Sequence, residues 1–257
     1  VSPECARAAR PRGAAGEGRR ILKRRLKKFL IRLPGFLALC RLLTRRHVRT
    51  LMYHRFIGRD ELGRRHVSPE DLRRHLDHIA AHHAVVSSLD HLESLRTGKD
   101  LGWCPVVITV DDGYRDFYEV AFPELRKRGW PATFFAATGL VDGTMWFWWD
   151  KLAHVMSTAE PGRIRLPVAG RDLELDLGSE RGRLEAWREL SQVLIELPPA
   201  AGRDILTDLS RALGVEIPAA APARFRGITW EEARQMKREG ILFGGHTVTH
   251  PILARVT

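Results

Sequence analysis

Apolar positions along this chain fall into unbroken runs, strict alternations and helical stripes, and each pattern predicts a different element. Val106–Val110 is a run of β-branched residues. It predicts a strand buried on both faces, because such side chains suit a pleated, two-sided core. The run stops at Asp111-Asp112-Gly113, where the glycine is free to take a positive φ and turn the chain. Ile241-Leu242-Phe243-Gly244-Gly245 predicts a second such strand, Val48–Tyr53 an earlier one and Pro131–Ala137 another. Helix signals lie between them. Ser68-Pro69-Glu70-Asp71 offers an N-cap and a first-turn proline for a helix running to about Ala81. Asp116–Arg128 is a helix stopped by Gly129, and Thr229-Trp230-Glu231-Glu232 is a capping box whose helix ends at Gly240. Strand, helix and strand between Val106 and Ala137 make a right-handed parallel unit, which puts both strand ends on one rim.

Residues 161–226 interrupt this rhythm and read as an insertion. Ile164, Leu166 and Val168, then Leu173, Leu175 and Leu177, alternate around Ala169-Gly170, the pattern of a β-hairpin. Helical stretches at about 180–197 and 201–213 follow, separated by Pro198-Pro199, with a linker from Pro218 to Pro222. Nothing in the insertion looks catalytic, so a lid or substrate-selecting subdomain is expected. The other end of the chain differs. Residues 1–20 lack periodicity and predict a disordered basic tail. Residues 21–47 are expected to hold a basic amphipathic helix. Within 21–43, Leu22, Leu26, Phe29, Leu33, Phe36 and Leu37 recur among lysines and arginines, with a break at Pro34-Gly35. Peripheral membrane contact and a solvated helix packed on the domain are both open readings. Arg32, Pro34 and Arg41 interrupt Phe29–Leu43, which argues against a spanning helix, and the order of a cleavable signal is absent.

Composition narrows the classes. The 257 residues are 44% hydrophobic, enough for a sizeable core, and carry a formal net charge of +11. That balance favours acidic partners, although much of the excess sits in the first fifty residues. No zinc-finger, RNP-like or helix-turn-helix pattern accompanies it, so no nucleic-acid partner is expected. The three cysteines, Cys5, Cys40 and Cys104, give neither a disulfide framework nor metal-ligand spacing.

The candidate chemistry sits at two strand ends. Two adjacent acids are costly to desolvate without partners. His246 and His250 are four apart, and Pro251 disfavours a helical His250, so a loop is the better reading. If the two strands are parallel neighbours, Asp112, His246 and His250 converge as a divalent-metal site whose borderline ligands suit Zn²⁺. Asp111 is then free to act as general base. His75, His78 and His82 form a helical stripe read as a solvated face, since no acid or cysteine completes a set. His54 is read as a hydrogen-bonded core histidine rather than a rim group. Trp146, Phe147, Trp148 and Trp149 are either a stacking wall for sugar rings, with the three tryptophans binding substrate, or packing beneath the insertion.

Thr109-Val110-Asp111-Asp112-Gly113 is similar to the T-F-D-D-G motif of the polysaccharide deacetylase family, the NodB-homology domain of carbohydrate esterase family 4. His246-Thr247-Val248-Thr249-His250 is similar to its H-[ST]-x-x-H motif. Leu51-Met52-Tyr53-His54, Pro131-Ala132-Thr133-Phe134-Phe135 and Thr229-Trp230 agree as flanks, so the resemblance covers about 48–257. It implies Asp111 as base, Asp112, His246 and His250 as metal ligands, a divalent cofactor of the zinc type, and an N-acetyl (less often O-acetyl) group on a cell-envelope or exopolysaccharide glycan as substrate. The family's three later motifs have no counterpart after His250. The expectation is therefore a truncated chain of weak or absent activity. Its fold class is α/β, an incomplete, distorted (β/α) barrel of the NodB-homology type with a hairpin-plus-helices insertion and five or so strands. The alternative is a non-catalytic carbohydrate- or membrane-binding remnant that keeps the metal site. The compartment stays open between the cell envelope and the cytoplasmic side of a membrane.

Overall fold

In this computed structural model, residue 29, residues 32–168 and residues 170–256 are described. The tail and the beginning of the basic helix lie outside them. The chain divides into two units, Val1–His47 and Val48–Thr257. In the first, Gly35 takes a φ of 76° and starts the helix Phe36–Leu43, which buries none of its residues. Leu37, Leu39, Leu42 and Leu43 are exposed. No described helix is long and apolar enough to cross a membrane.

The second unit has six strands: β1 (Arg49–Tyr53), β2 (Val106–Val110), β3 (Ala132–Ala136), β4 (Arg163–Val168), β5 (Arg171–Asp176) and β6 (Ile241–Gly245). Four of them form one parallel sheet in the order β1-β2-β3-β6. This is one strand fewer than expected among the described residues. The first half of β2 instead meets Val85, which bridges to Val106. The sheet also places β3 between β2 and β6, so the two motif-bearing strands are not direct neighbours.

Every residue of β2 is buried, as its unbroken β-branched run requires. Ile108 and Val110 pack in one core with Leu72, Leu76 and Ile79 from the helix Pro69–His82 and with Phe117, Phe122 and Leu125. The Ser68 side chain caps that first helix by accepting from the Asp71 amide. Thr229 and Glu232 close the capping box of the helix Trp230–Arg238. The single helix expected after Asp116 is instead a π-turn, Phe117–Ala121, running into an α-helix, Phe122–Lys127. Pro123 explains the difference: it has no N–H to donate to Glu119, so the ladder widens ahead of it.

The insertion builds a second core. β4 and β5 pair antiparallel with Ile164 opposite Leu175 and Leu166 opposite Leu173. Leu175 and Leu177 pack with Leu152 and Met156 of the helix Trp148–Thr158, Leu190 of Glu180–Glu196 and Leu206 of Pro199–Ala212. Pro199 sits in the first turn of its helix, where a missing N–H costs nothing. A third cluster, including Tyr114, Leu140, Trp146, Phe147 and Phe225, supports the strand ends.

Candidate metal centre

The C-terminal ends of the parallel strands share one rim, and the backbone there is bent to deliver side chains. Asp112 follows β2 with φ 80°, and Gly113 follows at φ 108°. A Cβ at position 113 would also press on the Ala136 backbone at 3.4 Å, so glycine satisfies both sterics and conformation. After β6 the chain leaves in a non-helical loop, with Thr247 at φ 63° and His250 at φ 52°. Four described non-glycine residues have positive φ, and three of them lie in this one place. Such conformations cost of order 1–3 kcal/mol each and persist where surrounding bonds hold them.

Those bonds run through the segment leaving β3. The Ala137 amide donates to the Asp112 carbonyl at 3.0 Å, and the His246 amide to the Ala136 carbonyl at 3.0 Å. The Thr138 and Gly139 amides donate to the carbonyls of Thr247 and Val248 at 3.1 and 2.9 Å. The Thr247 hydroxyl accepts from the His250 amide at 2.9 Å. The intervening strand is therefore the connector between the two motifs.

The result is a compact donor set. An Asp112 carboxylate oxygen lies 3.7 Å from Nε2 of His246 and 3.5 Å from Nε2 of His250, and the two Nε2 atoms are 2.9 Å apart. The ligating atoms all fall within 4.8 Å of one another. Two imidazoles and one carboxylate at this spacing fit a divalent cation. The His250 ring stands edge-on to Phe147 and Trp149, at 5.5 and 5.1 Å between centroids, while its buried Nδ1 has no hydrogen-bond partner. Aromatic packing, not a hydrogen bond to Nδ1, orients this ring.

Burial raises the Asp112 carboxyl pKa, against the pull of His54, His250 and His246. Burial also lowers His250, opposed by the Asp112 charge. Both shifts favour uncharged groups, and a cation would reverse the penalty on the carboxylate.

Asp111 is half-buried beside this set, and its amide donates to the Tyr53 carbonyl at 3.0 Å. Tyr53 pairs with Val110 in the sheet register, so His54 and Asp111 leave adjacent strands side by side. His54 is exposed, and its charge acts on both Asp112 and His250. The core role expected for His54 is thus corrected: β1 ends at Tyr53, as expected, and the residue after it stands exposed at the rim. His75 and His78 are exposed and His82 half-buried, and none joins the metal cluster.

Behind the rim is a buried polar group that sequence reasoning missed. Arg55 donates to Asp116 at 2.6 Å and lies 3.9 Å over the Tyr114 ring. The Tyr114 hydroxyl donates to Asp150 at 2.5 Å and accepts from the Trp149 indole at 2.9 Å. Burial raises the Asp150 carboxyl to about 6, opposed by the Tyr114 hydrogen bond and by Arg55. These residues are close only through the fold, and the one available signal was Tyr114 and Asp116 directly following the acid pair. The three tryptophans part company. Trp146 is buried, stacked on Phe225, with its indole donating to the Pro218 carbonyl at 3.0 Å. Trp149 lies beneath His250, and Trp148 is half-buried on a cavity wall that includes His250.

The open parallel α/β sheet thus carries at its carboxyl rim an Asp-His-His cluster that could hold a metal ion. Residues 100–167, which include Asp111 and Asp112, match the polysaccharide deacetylase family model. No curated protein matches the sequence. Among solved structures it is similar to IcaB from Ammonifex degensii (18% identity, TM-score 0.43, covering 78% of this chain and 53% of that one). It is also similar to the Streptococcus pyogenes deacetylase PplD in complex with acetate (19%, 0.47, 82% and 60%). The Aggregatibacter actinomycetemcomitans de-N-acetylase gives 18%, 0.42, 78% and 55%. The chain spans little more than half the length of these structures.

Proposed function

We propose that this chain is the metal-site part of a hydrolase that removes N-acetyl groups, or O-acetyl groups, from an exopolysaccharide or cell-envelope glycan. The observation that carries the reading is the convergence of Asp112, His246 and His250 beside a carboxylate, Asp111, that is left out of the donor set. A divalent cation of the zinc type, held by those three residues, would supply Lewis-acid polarisation of the acetyl carbonyl and a more acidic water. Asp111 takes the proton from the attacking water. His54, on the facing strand end, returns a proton to the departing amine, so the C–N bond breaks to acetate and a free amino sugar. The Phe147 and Trp149 rings keep His250 from turning away as charge develops.

Acetate release from an acetylated chitooligosaccharide, measured with added Zn²⁺, tests this reading. Asp111→Asn is expected to lower turnover by about 10²–10⁴-fold, the usual scale for a general base. His54→Gln is expected to lower it as well. Release that survives both substitutions overturns the assignment. Bound Zn²⁺ with no release from the unsubstituted chain would instead mark a binding module. The basic segment 21–43 is proposed as a peripheral membrane contact, supported by the exposed leucines of Phe36–Leu43. Deletion of residues 1–47 is expected to abolish sedimentation with anionic vesicles.

A further inference from the structure

The insertion reaches the loop that carries the histidines. Where Trp148–Thr158, Glu180–Glu196 and Pro199–Ala212 meet the histidine loop, they enclose a cavity of about 210 Å³. Trp148, Leu194 and Leu206 line it, and His250 of the metal centre forms part of the same wall. Two cationic side chains, Lys151 and Arg203, also line it. Neither makes an ion pair with any described acid, whereas Arg181 and Arg211 on the outer faces of the same helices are paired with Glu185 and Asp208. Lys151 is half-buried, with Nζ 5.7 Å from the Trp146 ring centre. Burial and the Arg203 charge both lower the Lys151 pKa, so two positive charges face one apolar space without compensation.

We propose that this cavity is a subsite for an anionic sugar residue of the glycan, with Lys151 and Arg203 as its counter-charges and Trp148 as a platform for the ring. The chemistry follows from what the cavity offers. An indole face takes the C–H face of a pyranose, and two unpaired cations take a carboxylate through charge-assisted hydrogen bonds. The shared His250 wall places that residue next to the sugar whose acetyl group is cut. The proposal rests on the deacetylase reading of the metal centre and adds which glycans that centre selects.

The test compares two acetylated tetrasaccharides on the full chain: N-acetylglucosamine alternating with glucuronate, and neutral N-acetylchitotetraose. Binding is read by tryptophan fluorescence in moderate salt, separately from acetate release. The glucuronate probe is expected to bind about tenfold more tightly, the scale of one net charge-assisted contact. Lys151→Gln with Arg203→Gln is expected to collapse that ratio towards one. Arg203→Gln alone, at an exposed position, is expected to reduce it partly, which keeps the test open if the double variant fails to fold. Arg181→Gln, outside the cavity, is expected to preserve it. Equal binding of the two probes overturns the proposal, as does a preference that survives the double variant or falls equally with Arg181→Gln. Acetate release without any preference sinks the subsite alone. A preference that tracks Lys151 and Arg203 without acetate release keeps the subsite and sinks the deacetylase reading.

Discussion

Strands β2 and β6 each supply half of the candidate metal centre, under opposite conditions. β2 is buried at all five positions and flanked on both sides, and its Asp112 is 5% exposed. β6 is last in the sheet order, half-buried along Leu242–Gly244 and exposed at Gly245. Its histidines stand about 30% exposed. The acid is therefore held by the core, and the imidazoles are held by a loop, a few main-chain bonds and two aromatic rings. This difference leaves the carboxylate dry and the histidine side open to solvent.

Core truncations should separate the halves most clearly. Ile108→Ala in β2 is expected to lower unfolding free energy by about 2–5 kcal/mol in urea denaturation. Leu242→Ala in β6 should cost clearly less, because its side chain is already half-solvated. Equal losses would erase the distinction.

The support behind the acid half should respond to pH. Asp150 titrates at about 6 in the fold against an ordinary 3.8, so the folded state holds the extra proton between these values. Unfolding free energy should then fall as pH rises from about 4 to about 6, by about 3 kcal/mol in total, and stay low above that window. Asp150→Asn, which cannot ionise, should flatten this decline in chelator-treated protein. Parallel pH profiles for the two proteins would show that the Tyr114–Asp150 contact does not carry it.

The histidine half should show the smallest effect. Thr247→Gly relieves a β-branched residue at φ 63° but removes the hydroxyl that accepts from the His250 amide. The two terms oppose each other, leaving stability within about 1 kcal/mol, while the looser loop should bind Zn²⁺ more weakly by calorimetry. Unchanged affinity would mean that the aromatic floor alone orients His250.

The parts written in local pattern were legible in the sequence. The β-branched run of β2, the alternation of Ile164–Leu177 and the caps at Ser68 and Thr229 all specify their elements through neighbouring residues. The acid and histidine motifs were legible because chemistry at strand ends is local too. What stayed hidden depends on approach in three dimensions. His54 stands at the rim and not in the core because no element packs over the residue that follows β1, which its sequence neighbours do not reveal. β3 between the motif strands, Arg55 on Asp116, and Tyr114 on Asp150 join positions whose sequence neighbours carry no hint of one another. Lys151 and Arg203 facing one cavity belong to the same category.

The seam from Ala136 to Gly139 joins the acid to the imidazoles through peptide groups alone. The side chains in that seam are small, with Ala136 and Ala137 buried in the cores on either side. Gly139 is the tightest point: a methyl group there would meet the Val248 carbonyl oxygen at 2.8 Å and pry the seam open. A single added carbon would thus spread the carboxylate and the imidazoles apart.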